Sequence, residues 1–305
     1  MVEWKNLDEL NSFKELEACE KVDLKTVMSG NEGAERVKTY SCAMAEGLTY
    51  NYAAKAVDAK VLEAIKKLAE EAQLSEKFEA LYNGEMVNTG EKRLVLHQLC
   101  RGQLGEDVIA DGVNKREFYV KQQKRIAEFA EKVHNGTITN AAGEKFTTVV
   151  QIGIGGSDLG PRAIYIALEN WARKNNTLKM EAKFISNVDP DDAAAVLNSI
   201  DVAHSLFVLV SKSGTTLETL TNEAFVKDAL KNAGLDPANH MVAVTSETSP
   251  LAKNEGYLDA FYMDNYIGGR YSSSSAVGCA VLSLAFGPKV FADFLDGAAA
   301  EDKLA

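Results

Sequence analysis

The sequence is poor in the features that mark metal-stapled, secreted or membrane proteins. Its four cysteines (Cys19, Cys42, Cys100, Cys279) lie far apart and form no CxxC pair, so buried free thiols are expected rather than a zinc knuckle or a disulfide framework. No apolar run approaches eighteen uninterrupted residues, and no membrane-spanning helix is expected. The opening Met-Val-Glu-Trp-Lys-Asn-Leu-Asp has no apolar core of a secretory signal, which fits a reducing cytoplasm. Positive charge is in deficit: 33 Lys and Arg against 44 Asp and Glu leave a formal net charge of -11. A nucleic-acid backbone needs a basic surface, so nucleic acid is not the expected partner. The five prolines all fall in turns or at helix starts, and no repeat or low-complexity tract is visible.

What is present is enough apolar residue for a large core, 46% of 305 residues, with a length prior of one or two domains. Residues 1–135 read as a mainly helical region packed on the domain that follows. A helix period runs from Asn51 to Ala72 through Ala54, Val57, Val61, Ala64, Ile65 and Leu68. A second runs from Lys115 to Val133 through Phe118, Gln122, Ile126 and Phe129, and Thr89–Arg101 is a further helix candidate. From Thr147 the rhythm changes. Strand candidates at Thr147–Ile152, Lys183–Val188, Ser205–Val210, Met241–Thr245 and Leu258–Met263 are separated by helical patterns at Pro161–Lys174, Asp191–Ser199, Thr215–Asn232 and Pro250–Glu255. That alternation predicts an α/β fold, a three-layer αβα sandwich on a mainly parallel, Rossmann-like five-stranded sheet, over residues 136–290. Residues 291–305 read as the start of a helix that reaches Ala305 without a cap, so the chain is expected to be the N-terminal portion of a longer protein.

Two loops in this region carry phosphate chemistry. Gly153-Ile-Gly-Gly-Ser-Asp-Leu-Gly160 follows the first strand candidate, and Ser211-Lys-Ser-Gly-Thr-Thr-Leu-Glu218 follows the third. Glycines let the backbone approach a ligand, hydroxyls donate to it, and a helix N-terminus favours an anion by about 0.3–1 kcal/mol. Ser157 or Asp158 is expected to cap the helix after the first loop. The competing dinucleotide fingerprint needs a third glycine where Asp158 stands, and its carboxylate would oppose a pyrophosphate. The second loop lacks the Gly-Lys-Ser/Thr of a Walker A loop, which disfavours Mg-nucleotide. Lys212 is either a point charge or only a backbone donor. A third segment, Gly268-Gly-Arg-Tyr-Ser272, lets the permanently charged Arg270 reach a cleft for an oxyanion, or form a surface salt bridge.

Together these segments resemble the phosphoglucose isomerase family of the sugar-isomerase (SIS) superfamily. The first resembles that family's Gly-Ile-Gly-Gly-Ser-x-Leu-Gly-Pro loop through Pro161, the second its Ser-Lys-Thr/Ser-x-Thr-Thr-x-Glu-Thr loop through Thr219, the third its Gly-Gly-Arg-Tyr/Phe-Ser segment. Asn88–His97 and Ile185–Asp189 are similar to two further family stretches. The resemblance implies reversible aldose–ketose isomerisation of glucose 6-phosphate and fructose 6-phosphate through a cis-enediolate, in glycolysis and gluconeogenesis, by a cytoplasmic homodimer with no metal, no cofactor, no nucleic acid and no membrane. It implies that Gly156, Ser157, Ser211, Lys212, Ser213, Gly214, Thr215 and Thr216 bind substrate and phosphate, that Arg270 stabilises the enediolate, and that Glu218 orients a histidine. The family's catalytic glutamate lies in a Glu-Ser-Asn-Gly-Lys-like segment that this sequence lacks, so residues 1–305 alone are expected to be inactive. His97 is expected to pack or bond locally, and His134, His204 and His240 sit beside turns or strand starts. The alternative is a stand-alone sugar-phosphate-binding regulatory domain.

Overall fold

The structure is a computed structural model that describes residues 2–102, 104–253 and 255–304. Two compact units are present, one gathering the residues up to Leu94 with 104–106 and the stretch from Gly297 onward, the other built on Asp107–Asp296 with the segment that begins at Val95.

In the first unit, α1 (Asn11–Glu17), α2 (Leu24–Val27) and α3 (Gly30–Thr39) precede a hairpin of β1 (Ser41–Ala43) and β2 (Thr49–Asn51), then α4 (Ala59–Glu71) and α5 (Leu74–Tyr82). α4 starts eight residues later than the period beginning at Asn51 suggests. Asp58 caps it by accepting the Val61 N–H at 2.9 Å, and the chain before it is spent on the hairpin and on carbonyls that Arg36 ties down. Buried Arg36 donates to the carbonyls of Ala53, Lys55 and Val57 at 2.8, 3.0 and 2.6 Å. The helix expected over Thr89–Arg101 is not formed. Asn88 accepts the Glu91 N–H, Lys92 takes a positive φ of 52°, and only His97–Cys100 makes a short 3₁₀ turn.

The second unit opens with a hairpin of β3 (Ile109–Ala110) and β4 (Val113–Asn114), and then α6 (Lys115–Asn135). Asn114 caps α6, and Gly136 closes it at a φ of 83°. The parallel sheet follows: β5 (Thr148–Ile152), α7 (Leu159–Lys174), β6 (Glu181–Ile185), α8 (Pro190–Asn198), β7 (Ser205–Val210), α9 (Leu217–Asn232), β8 (Met241–Thr245) and β9 (Ala260–Tyr262). α10 (Ala276–Phe286) and α11 (Pro288–Leu304) come last, the residues of α11 from Gly297 onward being counted with the first unit. The strand order is β6-β5-β7-β8-β9, every pairing parallel. Side chains alternate through the sheet as a period of two requires. Leu206, Val208 and Val210 join Ile126 and Phe129 of α6, Tyr165 of α7 and all of α10 on one face. Phe207 and Leu209 join Ala193 of α8, and Val226 and Leu230 of α9, on the other. These are the three layers and five strands expected from the sequence.

The compact units divide the chain differently from the segmentation at 135 and 291. α6 belongs with the sheet, because Ile126, Phe129, Ala130 and Val133 are part of its core. α11 begins at Pro288, where a missing N–H costs nothing, and Phe291 and Leu295 are buried in the same core. β6 is shifted two residues toward the N-terminus, because Asn187–Asp189 form the turn into α8.

Candidate functional site

β5 and β7 are neighbours whose following crossovers leave in opposite directions, to β6 and to β8. This is the switch point of an open parallel sheet, where loops splay and a crevice opens beyond the strand ends. The two hydroxyl-bearing loops sit there.

The loop after β5 turns at Gly155, whose φ is +58°. Gln151, fully buried in the strand, donates its Nε2–H to the Ser157 carbonyl at 2.6 Å and fixes the end of the loop. Asp158 occupies the cap position of α7 but does not cap it. Its buried carboxylate pairs with Arg162 one turn on, at 2.8 Å. Burial pushes the Asp158 pKa up, and the Arg162 guanidinium pulls it back.

The loop after β7 is braced from behind. Buried Thr245, at the end of β8, donates to the Ser211 carbonyl at 2.7 Å, and the Ser246 N–H donates to the Lys212 carbonyl at 3.1 Å. Gly214, at φ +67°, packs against Ser249 and Leu251 with no room for a Cβ. Its N–H bonds Ser211 Oγ at 3.2 Å. With the carbonyls held at the back, the N–H groups of Lys212, Ser213 and Thr216 have no acceptor among the described residues. Thr216 opens α9 without a side-chain cap bond; its hydroxyl oxygen accepts from Ser211 Oγ at a long 3.4 Å, which leaves its O–H and the helix's first N–H groups to donate to a ligand.

The third segment lies across the opening. Gly156 and Gly269 meet backbone to backbone, and Ser272 Oγ donates to the Gly156 carbonyl at 2.9 Å. The result is a cavity of about 280 Å³. Gly156, Ser157, Ser211, Lys212, Ser213 and Thr216 line it, as the sequence indicates, over a floor that includes Ile154, Val210 and Met263. Gly269, Ser272 and Thr219 also line it and were not singled out from sequence. Gly269 and Ser272 stand in the quoted Gly-Gly-Arg-Tyr-Ser segment and Thr219 one turn into the helix after Thr216, so the signal was available.

Four anticipated site residues do not line the cavity. Gly214 is buried behind the loop as a hinge. Thr215 faces outward and bonds Ser213 through its N–H and its hydroxyl, at 3.2 and 3.1 Å. Glu218 is exposed in the first turn of α9, and each histidine of the chain has another partner. Arg270 is exposed beside Gly269, and among the described residues no carboxylate pairs with it. His97 does more than bond locally. Its Nε2 lies 2.8 Å from the Gly268 carbonyl, 171 residues away in sequence. Among the described residues no three His, Cys, Asp or Glu side chains converge as metal ligands, and no helix is long and apolar enough to cross a membrane.

Fold and site together define an open parallel α/β domain with a hydroxyl- and amide-lined pocket at its switch point. The phosphoglucose isomerase family model matches residues 51–304, and the chain belongs to that family. It is 58% identical over 308 residues to the glucose-6-phosphate isomerase of Treponema denticola, covering 99% of this chain and 58% of the relative. It is 54% identical to that of Treponema pallidum, covering 99% of this chain and 57% of the relative. A crystal structure of a glucose-6-phosphate isomerase from Chlamydia trachomatis superimposes with a TM-score of 0.82 at 37% identity, over 98% of this chain and 56% of that one. The chain thus spans little more than half the length of the relatives it matches.

Proposed function

We propose that this chain forms the phosphate-gripping part of a glucose-6-phosphate isomerase. The observation that carries the proposal is that Ser157 and Thr216, from loops on two neighbouring crossover units, line one cavity. An acidic protein can hold a phosphate dianion only by local donors, and hydroxyls and free N–H groups supply them without a formal charge. The sugar carbons then extend toward Gly269 and its exposed neighbour Arg270, whose charge no carboxylate among the described residues pairs. A guanidinium there stabilises the oxyanion of a cis-enediolate as a proton moves between C1 and C2. That transfer needs a positioned base, worth about 10²–10⁴-fold. By the family resemblance the base stands in a Glu-Ser-Asn-Gly-Lys-like segment that these 305 residues do not contain. The names of the relatives support an isomerase over a stand-alone regulatory module. We further infer a cytoplasmic homodimer for the whole protein, acting without nucleic acid or membrane.

A coupled assay on the product of the complete reading frame tests this directly. Interconversion of glucose 6-phosphate and fructose 6-phosphate is the expected result, and no exchange between them overturns the assignment. Residues 1–305 alone should bind sugar phosphate weakly and turn over nothing; isomerisation by them would contradict the placement of the base.

A further inference from the structure

The segment that carries Arg270 is tied down at both ends. At its start, Asp264 accepts from the Tyr119 hydroxyl at 2.9 Å, from the Tyr266 N–H at 3.0 Å and from the buried Lys115 ammonium at 3.2 Å. The Tyr266 carbonyl then accepts the Leu96 N–H at 3.1 Å. At its end, Ser272 is bonded to Gly156. Between these ties lie Gly268, Gly269 and Arg270. This stretch leads into a 3₁₀ turn over Gly269–Ser274, and its Gly268 carbonyl also accepts the Tyr271 N–H, at a long 3.4 Å. Its single side-chain tie among the described residues is the one from His97 to the Gly268 carbonyl.

We propose that His97 is a positioning residue for the arginine loop: by donating Nε2–H to the Gly268 carbonyl it sets the peptide that presses Gly269 against Gly156 and aims Arg270 over the cavity. The inference rests on the reading of Arg270 as the enediolate-stabilising group. An acceptor carbonyl opposite Nε2 requires the proton on that nitrogen, which fixes the tautomer. The ring has a firm base, because His97–Cys100 is buried throughout and the Cys100 carbonyl accepts Gln123 Nε2–H at 2.7 Å. It also meets the Tyr271 ring edge-on, with centroids 6.0 Å apart, so it touches the chain on both sides of Arg270. Burial pushes its pKa down, and the positive Arg101 and Lys212 push the same way against the Gly268 bond and Asp264. A neutral donor holds the loop without adding a second charge beside the phosphate pocket.

The test compares His97→Phe, which keeps an aromatic ring without a donor, with His97→Gln, which keeps an amide N–H at similar reach. In the unliganded chain, hydrogen exchange at the Gly269, Arg270 and Tyr271 amides should quicken by about tenfold in the Phe variant and return toward the parent rate in the Gln variant. Affinity for a five-carbon sugar-acid phosphate, whose carboxylate mimics the enediolate, should fall by about tenfold in the Phe variant and recover in the Gln variant, with inorganic phosphate bound equally by all three. Parent-like exchange and mimic affinity in a folded His97→Phe overturns the proposal, as does a folded His97→Gln that restores neither. If the parent binds the mimic no better than inorganic phosphate, the reading of Arg270 fails, while the exchange rates still decide whether His97 orders the loop.

Discussion

Gly156 and Gly269 present bare backbone to each other, and a Cβ on Gly156 would overlap the Gly269 carbonyl group. The reverse is looser, since a Cβ on Gly269 would lie 3.4 Å from Gly156 Cα. Gly156→Ala should therefore cost about 1–3 kcal/mol of stability, as overpacking does, and Gly269→Ala distinctly less. Thermal or urea unfolding of the two variants checks the order, and equal losses would mean that the contact is not tight.

Ser213 and Thr216 offer hydroxyls to the cavity from exposed positions, and among the described residues their only side-chain bonds are within the loop, Ser213 Oγ accepting from Thr215 and Thr216 Oγ1 accepting from Ser211 at a long 3.4 Å. The double variant Ser213→Ala, Thr216→Val should lose about tenfold or more in phosphate affinity, at about 1–1.5 kcal/mol per hydrogen bond, while the chain stays folded with only a small fall in melting midpoint from the lost loop bonds. Calorimetric titration with phosphate reads the first and a thermal scan the second.

Arg270 stands in a segment tied at both ends, and among the described residues its side chain makes no ion pair. Arg270→Ala should leave stability within about 0.5 kcal/mol, as surface changes do. In the whole protein it should lower kcat more than it raises KM, because the guanidinium acts on charge that develops during reaction. A pure rise in KM would move Arg270 to ground-state binding.

His97 and His134 are buried enough that their pKa values are depressed below the ordinary 6.5. The unfolded chain binds protons more readily at these sites, so their contribution is fully present above pH 6.5 and is lost as pH falls through the depressed values. His204, raised by the neighbouring Asp201 and Glu144, and Asp158, raised by burial, run the opposite way, so comparison with a variant is decisive. Urea midpoints should fall less between pH 7.5 and 5.5 in His134→Gln than in the parent; identical slopes would show that His134 does not titrate differently on folding.

The sheet was legible because fully buried parallel strands are short β-branched runs, as in Thr148–Ile152 and Ser205–Val210, each ending in a glycine- or serine-rich turn. The cavity was legible for the same reason: strand ends at a switch point are where loops can converge. α10 escaped notice because all of Ala276–Phe286 is buried, which leaves no polar face and no helix period to read. The apparent helix at Thr89–Arg101 failed on backbone chemistry, with an Asx-type turn at Asn88 and a left-handed Lys92. The roles of Gln151, Thr245 and His97 depend on contacts between distant stretches, 171 residues apart for His97 and Gly268, and no local pattern announces them.

The grip of two loops on one phosphate is tested most directly by titrating the isotope-labelled chain with glucose 6-phosphate and following its amide resonances. Saturable shifts should appear together at Gly156 and Ser157 and at Lys212, Ser213 and Thr216, with inorganic phosphate reproducing them at both loops. Shifts confined to one of the two loops, or to residues outside the cavity, would contradict the account.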